Sequence, residues 1–168
     1  MPTTQCDCVV DPQSIVCGLV FLVLFAFLFI FEILCAGVEA RGFMFGPSIA
    51  LAIGAKFVPL RKPKKLPGEV ISEAYVLEYG TDCLEMHVGA VQPGERALII
   101  DDLVATGGTL RAAVRLLERM GAEVVECACV IGLPEAKGQC RLNGTPLYIL
   151  VEPRELDNYC YGTGYLLE

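Results

Sequence analysis

Short apolar runs and one amphipathic repeat dominate the second half of the chain. Residues 97–100, 124–131 and 146–151 are mainly apolar runs of the length typical of buried strands. Between the first two runs, apolar residues recur at helical spacing over residues 110–120. Residues 97–131 are therefore predicted to form one βαβ unit with a right-handed crossover.

The first half of the chain predicts further strands and one helix. Strand-like segments fall at residues 33–38, 56–60, 72–78 and 82–88. The last two flank a turn at residues 79–81 and are predicted to pair as a hairpin. A helix is predicted from about Pro47, since proline suits a first helical turn. Alternating strands and helices predict an α/β fold with a central, mostly parallel sheet flanked by helices.

An apolar run at residues 15–34 precedes these elements and carries one charge, Glu32. Its length suits a transmembrane helix, and the positive charges after it would put the main domain on the cytoplasmic side. A signal peptide is disfavoured because no Lys or Arg precedes the run. Two alternatives remain open. The run is a helix buried in the protein, or it is translated non-coding sequence, since Phe, Leu, Ile and Val codons share T at the second position.

Composition narrows the classes of function. The 168 residues are enough for one domain with its own core, and the net charge is −7. Without a dominant Lys/Arg patch, nucleic-acid binding is not expected. Nine cysteines do not form a disulfide framework. Cys127 and Cys129 are separated by one residue in a predicted strand, so both should face the same side and act as small apolar residues. Free buried thiols in turn favour a reducing compartment. His87, the single histidine, is expected to be structural.

Residues 97–109, ALIIDDLVATGGT, carry the strongest chemical signal. Asp101 and Asp102 follow the apolar run, at the edge of an open α/β sheet where ligands bind. The turn ATGGT then leads into the predicted helix, so that backbone amides and threonine hydroxyls can surround a phosphate. Two carboxylates repel a bare phosphate but accept hydrogen bonds from the hydroxyls of a sugar that carries one. No Lys follows the glycines, which excludes a Walker loop.

Basic residues elsewhere are expected to act on the same ligand. Arg41 lies in a turn at the sheet edge, where a guanidinium can make a forked contact with pyrophosphate oxygens. Residues 61–65 hold four positive charges and a proline, and a Pro-Gly pair follows shortly after. This composition favours a mobile loop over a helix, and such a loop can close over pyrophosphate.

The apolar strand, the two acids and A-T-G-G-T together resemble the 5-phosphoribosyl 1-pyrophosphate (PRPP) motif of type I phosphoribosyltransferases. With VEARGFMFGP, SEAYVLEYG and ECACVIGLPEAKG added, the chain resembles adenine phosphoribosyltransferases of the plant type. The resemblance implies the type I phosphoribosyltransferase fold with a flexible hairpin loop. It divides the chain into an atypical apolar segment at residues 1–35, the phosphoribosyltransferase domain at 36–151 and a tail at 152–168.

The resemblance also implies a role for each site residue. Asp101 and Asp102 match the acids that hold the ribose hydroxyls, and Arg41 matches an arginine that binds pyrophosphate. Glu78 matches a glutamate near the reacting centre, and Tyr79 an aromatic residue beside the base. The other PRPP-binding positions are Lys62, Lys65, Ala105, Thr106, Gly107, Gly108 and Thr109. Mg²⁺ is implied as a cofactor carried by PRPP, with no metal site built from protein residues alone.

The reaction implied by the resemblance is purine salvage, in which adenine and PRPP give AMP and pyrophosphate. A cytoplasmic homodimer is implied as well. The sequence departs from the family near its start, where the N-terminal hood that contacts adenine is largely missing and the run at residues 15–34 stands in its place. Weak or no adenine turnover, with PRPP binding partly kept, is therefore expected. The alternative is a membrane-tethered or catalytically impaired PRPP-binding homologue.

Overall fold

The computed structural model describes residues 33–77, 80–133, 142 and 144–152. The predictions for residues 15–32, for Glu78 and Tyr79, and for the tail after residue 152 lie outside these ranges.

Seven strands and three helical segments make up the described part of the chain. The strands are β1 (Ile33–Val38), β2 (Lys56–Leu60), β3 (Val70–Leu77), β4 (Gly80–His87), β5 (Arg96–Val104), β6 (Glu123–Gly132) and β7 (Leu147–Val151). The helical segments are a short 3-10 helix (Arg41–Met44), α1 (Gly46–Ile53) and α2 (Gly108–Arg119).

Five of the strands form one parallel sheet in the order β2-β1-β5-β6-β7. Ala36 of β1 pairs with Ile99 of β5, which pairs in turn with Cys127 of β6. The remaining two strands, β3 and β4, pair as an antiparallel hairpin. The parallel sheet, its helices and the hairpin confirm the predicted α/β fold.

The order of the strands reverses at β1. The chain passes from β1 to β2 on one side, and later returns to place β5 on the other side of β1. Crevices form at such a reversal because the connections that leave the two central strands diverge, and ligands of open α/β sheets bind there. The segment after β1 and the segment after β5 therefore face one another at the carboxyl edge of the sheet.

Each face of the sheet has its own apolar core. On one face, Ala36, Ile99 and Cys127 pack with the buried stripe of α2, including Leu110 and Leu117. The hairpin covers the same face through two further side chains, Leu84 and Met86. Because Leu110 and Leu117 are at most 1% exposed, each contributes about 2 kcal/mol to folding through burial. The helix is thereby fixed on the sheet, and so is the loop that precedes it.

The opposite face packs against α1. Cys35, Leu98 and Ile100 point to this side and meet Ile49 and Ala50 of the helix. The first turn of α1 contains Pro47, as the sequence predicts, although the helix begins one residue earlier at Gly46. The end of α1 leads directly into β2, so that the segment between β1 and the helix is held at the carboxyl edge.

Several boundaries differ from the prediction, and three of the differences have a clear structural cause. β5 continues through both aspartates to Val104 because β6 runs alongside it as far as Gly132 and prolongs the ladder. The helix after β5 begins at Gly108 and not at residue 110, since the glycine turn itself supplies the first helical residue. β4 begins at Gly80 and not at residue 82, because Gly80 already pairs with Leu77.

The cysteines of β6 behave as small apolar side chains. Cys127 and Cys129 are at most 2% exposed and lie on the same face of the sheet, as their alternation predicts. Cys35 is also buried, and burial raises the pKa of its thiol to about 12. In the described ranges, no helix is both long enough and apolar enough to cross a membrane.

Candidate active site

The carboxyl ends of β1 and β5 lie side by side and carry the predicted site residues on neighbouring segments. Arg41 opens the 3-10 helix that follows β1. Asp101 and Asp102 belong to the last residues of β5, and the turn at residues 105–107 follows them. The structure thus brings together the arginine, the two acids and the glycine turn that the sequence singles out separately.

Gly42 allows the 3-10 helix to approach β5 closely. A Cβ atom at this position would lie 2.6 Å from the carbonyl oxygen of Ile100 and 3.4 Å from the Cα atom of Asp101. Any side chain there would push the helix away from the strand. With glycine, the preceding residue Arg41 reaches the acids, and its Nε atom lies 3.0 Å from Oδ2 of Asp102.

The two aspartates have different surroundings. Asp101 is 7% exposed, and its Oδ1 atom accepts a hydrogen bond of 2.9 Å from the backbone N–H of Asp102. Burial, together with the neighbouring carboxyl group of Asp102, raises the pKa of Asp101 to about 7 against the opposing effects of that backbone hydrogen bond and of Arg41. The Asp102 side chain is 20% exposed and lies at the rim beside Arg41. The pair therefore offers one inner and one outer carboxyl group as hydrogen-bond acceptors.

The turn after β5 has the geometry of an anion-binding loop. Gly107 adopts the left-handed conformation with φ of 73°, which only glycine accepts at low cost, and it caps the start of α2. The first amides of a helix lack intrahelical acceptors and carry partial positive charge. Thr106 and Thr109 are half-buried beside them. Ala105, Thr106 and Gly107 thus lead into Gly108 and Thr109, where the amino end of a twelve-residue helix offers amides suited to an anion.

The basic loop after β2 is held by one carboxylate that the sequence analysis missed. Glu39 accepts hydrogen bonds from Lys65 Nζ at 2.7 Å, from the Lys62 backbone N–H at 2.8 Å and from Arg61 Nε at 3.2 Å. Burial alone would raise the pKa of Glu39, but these hydrogen bonds outweigh it and lower the pKa to about 2. The sequence held one signal for this role of Glu39. It is an acidic residue two positions before Arg41, in a chain whose predicted basic loop holds four cations.

Lys62 turns its side chain to the hairpin. Its Nζ atom donates hydrogen bonds to a carboxylate oxygen of Asp82 and, at 2.6 Å, to the hydroxyl of Tyr75. The ammonium also lies 5.2 Å from the centre of the Tyr75 ring. Burial would lower the pKa of Lys62, but Asp82 and Tyr75 outweigh that effect and raise it. The two lysines expected to bind PRPP are therefore in ion pairs, Lys62 with Asp82 and Lys65 with Glu39.

The described residues also bear on the expected Mg²⁺ ion. Within them, no group of three or more His, Cys, Asp or Glu side chains could hold a metal. Mg²⁺ keeps several water ligands and commonly binds one or two carboxylates together with substrate phosphates. Asp101 and Asp102 supply such oxygen atoms, so the residues present fit a Mg²⁺ ion that is held mainly by its substrate.

The doubly wound sheet and the polar residues at its reversal point define an α/β domain of the class that carries its ligand site at the carboxyl edge of the strands. Residues 30–149 match the phosphoribosyl transferase domain family. The chain belongs to this family and, within it, to the adenine phosphoribosyltransferases, as its relatives make plain.

Two relatives illustrate the similarity in sequence. Adenine phosphoribosyltransferase 5 of Arabidopsis thaliana is 78% identical over 125 residues, which cover 74% of this chain and 65% of the relative. An adenine phosphoribosyltransferase of Yersinia pestis is 57% identical over 117 residues, covering 68% of this chain and 63% of the relative. The chain therefore spans just under two thirds of the length of these relatives.

Two solved structures illustrate the similarity in fold. Adenine phosphoribosyltransferase from Rhodothermus marinus is 42% identical with a TM-score of 0.75, and the match covers 85% of this chain and 81% of that one. The Saccharomyces cerevisiae enzyme, in complex with adenine and an imino-altritol bisphosphate, is 37% identical with a TM-score of 0.75, and the match covers 84% and 81%.

Proposed function

We propose that this protein transfers the 5-phosphoribosyl group from PRPP to adenine, giving AMP and pyrophosphate in purine salvage. The observation that carries the proposal is the meeting of Arg41 and Asp102 beside the glycine turn at one sheet edge. A phosphate loop, two carboxyl groups for hydroxyls and an arginine for pyrophosphate match the three parts of PRPP. Adenine as the acceptor is supported by the Saccharomyces cerevisiae relative, whose structure contains adenine.

Each part of PRPP has its own partner in this proposal. The loop of residues 105–109 holds the 5′-phosphate through its amides and the threonine hydroxyls. Asp101 and Asp102 accept hydrogen bonds from the ribose hydroxyls. Arg41 leaves Asp102 and binds the pyrophosphate through its guanidinium. A bidentate contact to two phosphate oxygens is stronger than a single contact to a carboxylate oxygen.

The chemistry is a displacement at C1 of the ribose. The bond from C1 to pyrophosphate breaks as positive charge develops on the sugar, and an adenine nitrogen forms the new bond and releases its proton to water. Arg41 stabilises the negative charge that builds up on the leaving group. The anchored 5′-phosphate and ribose hydroxyls hold C1 in line with the base, so that positioning supplies much of the rate. Glu78 and Tyr79, outside the described ranges, are proposed to act beside the base on the strength of the family resemblance.

Mg²⁺ is proposed as the cofactor. Bound to the pyrophosphate group of PRPP, the ion would neutralise part of the charge on the leaving group. Asp101 and Asp102 are the carboxylates placed to contact it, directly or through water.

Lys62 and Lys65 are proposed to join the pyrophosphate after leaving their present ion pairs. Closure of the loop that carries them would exclude water and limit hydrolysis of PRPP. The ion pairs with Asp82 and Glu39 give both side chains a defined position from which this movement starts.

A cytoplasmic homodimer is proposed as the working form. Buried thiols such as Cys35 suit a reducing compartment. Met44 and Leu51, on the 3-10 helix and on α1, are 71% and 85% exposed and would lose that exposure in an interface. Light scattering should give twice the chain mass of 18.2 kDa. A mass of one chain at micromolar concentration would contradict the dimer.

The experiment that tests the function uses the purified 168-residue chain with adenine, PRPP and Mg²⁺. Formation of AMP and pyrophosphate in equal amounts supports the proposal, with hypoxanthine as the control base. Robust turnover would also contradict the expectation of weak activity drawn from the N-terminal departure. PRPP binding without AMP formation would contradict the proposed activity and favour a catalytically impaired homologue.

A further inference from the structure

Glu39 connects two segments that the proposed reaction needs together. It follows β1 directly and lies two residues before Arg41. Its backbone N–H donates to the carbonyl oxygen of Leu60 at 2.9 Å, at the end of β2. Its side chain then accepts the hydrogen bonds of Arg61, Lys62 and Lys65 from the basic loop. Backbone and side chain of one residue thus join the arginine turn to the basic loop.

This arrangement differs from an ordinary surface ion pair. Exposed pairs contribute little because water competes for both charges. The Glu39 side chain is 7% exposed, and both of its oxygens accept hydrogen bonds from the loop, including one from a backbone amide. A backbone amide has a fixed position, so this contact specifies where the loop begins.

The connection continues into the hairpin. The backbone N–H of Arg61 donates to the carbonyl oxygen of Glu85 at 2.8 Å, and the N–H of Glu85 donates back to Arg61 at 2.7 Å. Glu85 belongs to β4, and β4 together with β3 forms the hairpin whose tip leads to the proposed base-binding residues. A displacement of the first residues of the loop would therefore also displace the arginine turn and the hairpin.

We propose that Glu39 is a positioning residue for pyrophosphate. Its hydrogen bonds with Arg61 and with the Lys62 backbone N–H remain when Lys65 moves to the substrate, and they hold the Arg41 turn and the basic loop in the relative arrangement that the PRPP pyrophosphate requires. The inference rests on the proposed function, since it assigns the pyrophosphate to Arg41 and the basic loop. Glu39 itself does not contact the substrate, because an anionic carboxylate beside pyrophosphate would be repelled.

The test compares Glu39→Gln with a matched control, Glu95→Gln. Glu95 has a 9% exposed side chain and accepts hydrogen bonds from Lys56 Nζ at 2.6 Å and the Gln92 backbone N–H at 2.7 Å. It precedes β5 at the opposite edge of the sheet. Both substitutions remove a carboxylate of similar burial and similar hydrogen bonding, but only one of them lies beside the proposed site.

Glu39→Gln is expected to raise KM for PRPP and the dissociation constant of pyrophosphate with Mg²⁺ by about tenfold, through loss of charged hydrogen bonds. KM for adenine should change little, and Glu39→Asp should restore most of the affinity because it restores the carboxylate. Glu95→Gln should leave all three constants at their wild-type values. If Glu39→Gln and Glu95→Gln have the same pyrophosphate affinity, the positioning role is wrong.

A second variant keeps the test decisive if Glu39→Gln does not fold. Arg61→Gln removes two hydrogen bonds to Glu39 and leaves the backbone bridge to Glu85 intact. A several-fold weaker pyrophosphate affinity supports the inference, whereas an unchanged affinity overturns it. The wild type separates the two proposals. If it makes no AMP, the proposed function fails, while calorimetry with pyrophosphate and Mg²⁺ still decides the role of Glu39.

Discussion

The Nε atom of Arg41 lies 3.0 Å from Oδ2 of Asp102. Arg41 belongs to the segment that follows β1, and Asp102 lies near the end of β5, just before the phosphate loop. The arginine belongs to the pyrophosphate subsite and the aspartate to the ribose subsite of the proposed reaction. In the structure each is the ion-pair partner of the other. In the proposed reaction PRPP would replace this single contact with several, so its binding would exchange an existing ion pair for new contacts to the substrate.

Arg41→Lys is predicted to lower kcat/KM for PRPP by about a hundredfold, because lysine keeps the charge but loses the forked contact. Steady-state kinetics with varied PRPP measures the effect. The control is Arg115→Lys. The Arg115 side chain is 55% exposed on the outer face of α2, and its Nη1 atom lies 3.8 Å from Oε1 of Glu73. Equal activity of Arg41→Lys and wild type would show that Arg41 does not bind the leaving group.

Asp101→Asn is predicted to change how stability depends on pH. The pKa of Asp101 is about 7 in the folded protein against 3.8 for an ordinary Asp, so the folded state binds the extra proton between these values. In the wild type, the contribution of Asp101 to the free energy of unfolding is therefore fully present below about pH 4 and is lost as pH rises through about 7. Asparagine does not titrate. The free energy of unfolding of the variant, relative to that of the wild type, should therefore rise by about 2–3 kcal/mol from about pH 5 to about pH 8.

Urea unfolding of both proteins at the two pH values measures this difference. The asparagine side chain of the variant keeps an oxygen that can accept the Asp102 backbone N–H, so the fold should persist. Parallel pH profiles for the two proteins would mean that Asp101 titrates near its ordinary pKa.

The sequence predicts well wherever the backbone pattern determines position. β2 spans the five predicted residues 56–60. The proximity of Arg41 to the acids also follows from pattern, because carboxyl ends of parallel strands meet at one sheet edge. What pattern could not give was the partner of each lysine. Lys62 meets Asp82 only because the hairpin folds back beside the basic loop, and Lys65 meets Glu39 across 26 residues of chain.

The end of β5 shows a related limit. Apolar character falls at Asp101, which predicts a strand that stops at residue 100. The ladder with β6 continues nonetheless, because Asp101 pairs with Cys129 and Val104 with Gly132. Hydrogen bonding to a neighbouring strand overrides local composition here. Burying a carboxyl group is costly, so the buried Asp101 inside a strand marks a candidate site for a polar ligand.

Gly42→Ala is predicted to impair PRPP binding more than stability alone explains. Its Cβ atom would lie 2.6 Å from the Ile100 carbonyl oxygen, so the 3-10 helix must move away from β5. The cost in unfolding free energy should be about 1–3 kcal/mol, as for other overpacked sites. Moving the helix also withdraws Arg41 from the pyrophosphate subsite. Calorimetric titration with PRPP at a temperature where the variant is folded measures the affinity.

Gly54→Ala is the control for this substitution. Gly54 has φ of 69° and precedes β2 at the opposite edge. Apart from Gly54 and its two chain neighbours, no atom of the described residues lies within 4 Å of a methyl group placed there. Alanine there costs about 1–2 kcal/mol through backbone strain but leaves the site unchanged. Equal PRPP affinities of Gly42→Ala and Gly54→Ala would refute the proposed importance of the close approach.

Asp82→Asn is predicted to strengthen PRPP binding. Lys62 must leave Asp82 before it can bind pyrophosphate, and the partly buried ion pair opposes that move. Removing the aspartate charge should release about 0.5–1 kcal/mol of this competing interaction, which lowers the dissociation constant about two- to fivefold. The gain must disappear in the Lys62→Met background, because no lysine is then left to release. If Asp82→Asn instead weakens PRPP binding, the ion pair serves to hold the hairpin beside the basic loop, and Lys62 is not a ligand of pyrophosphate.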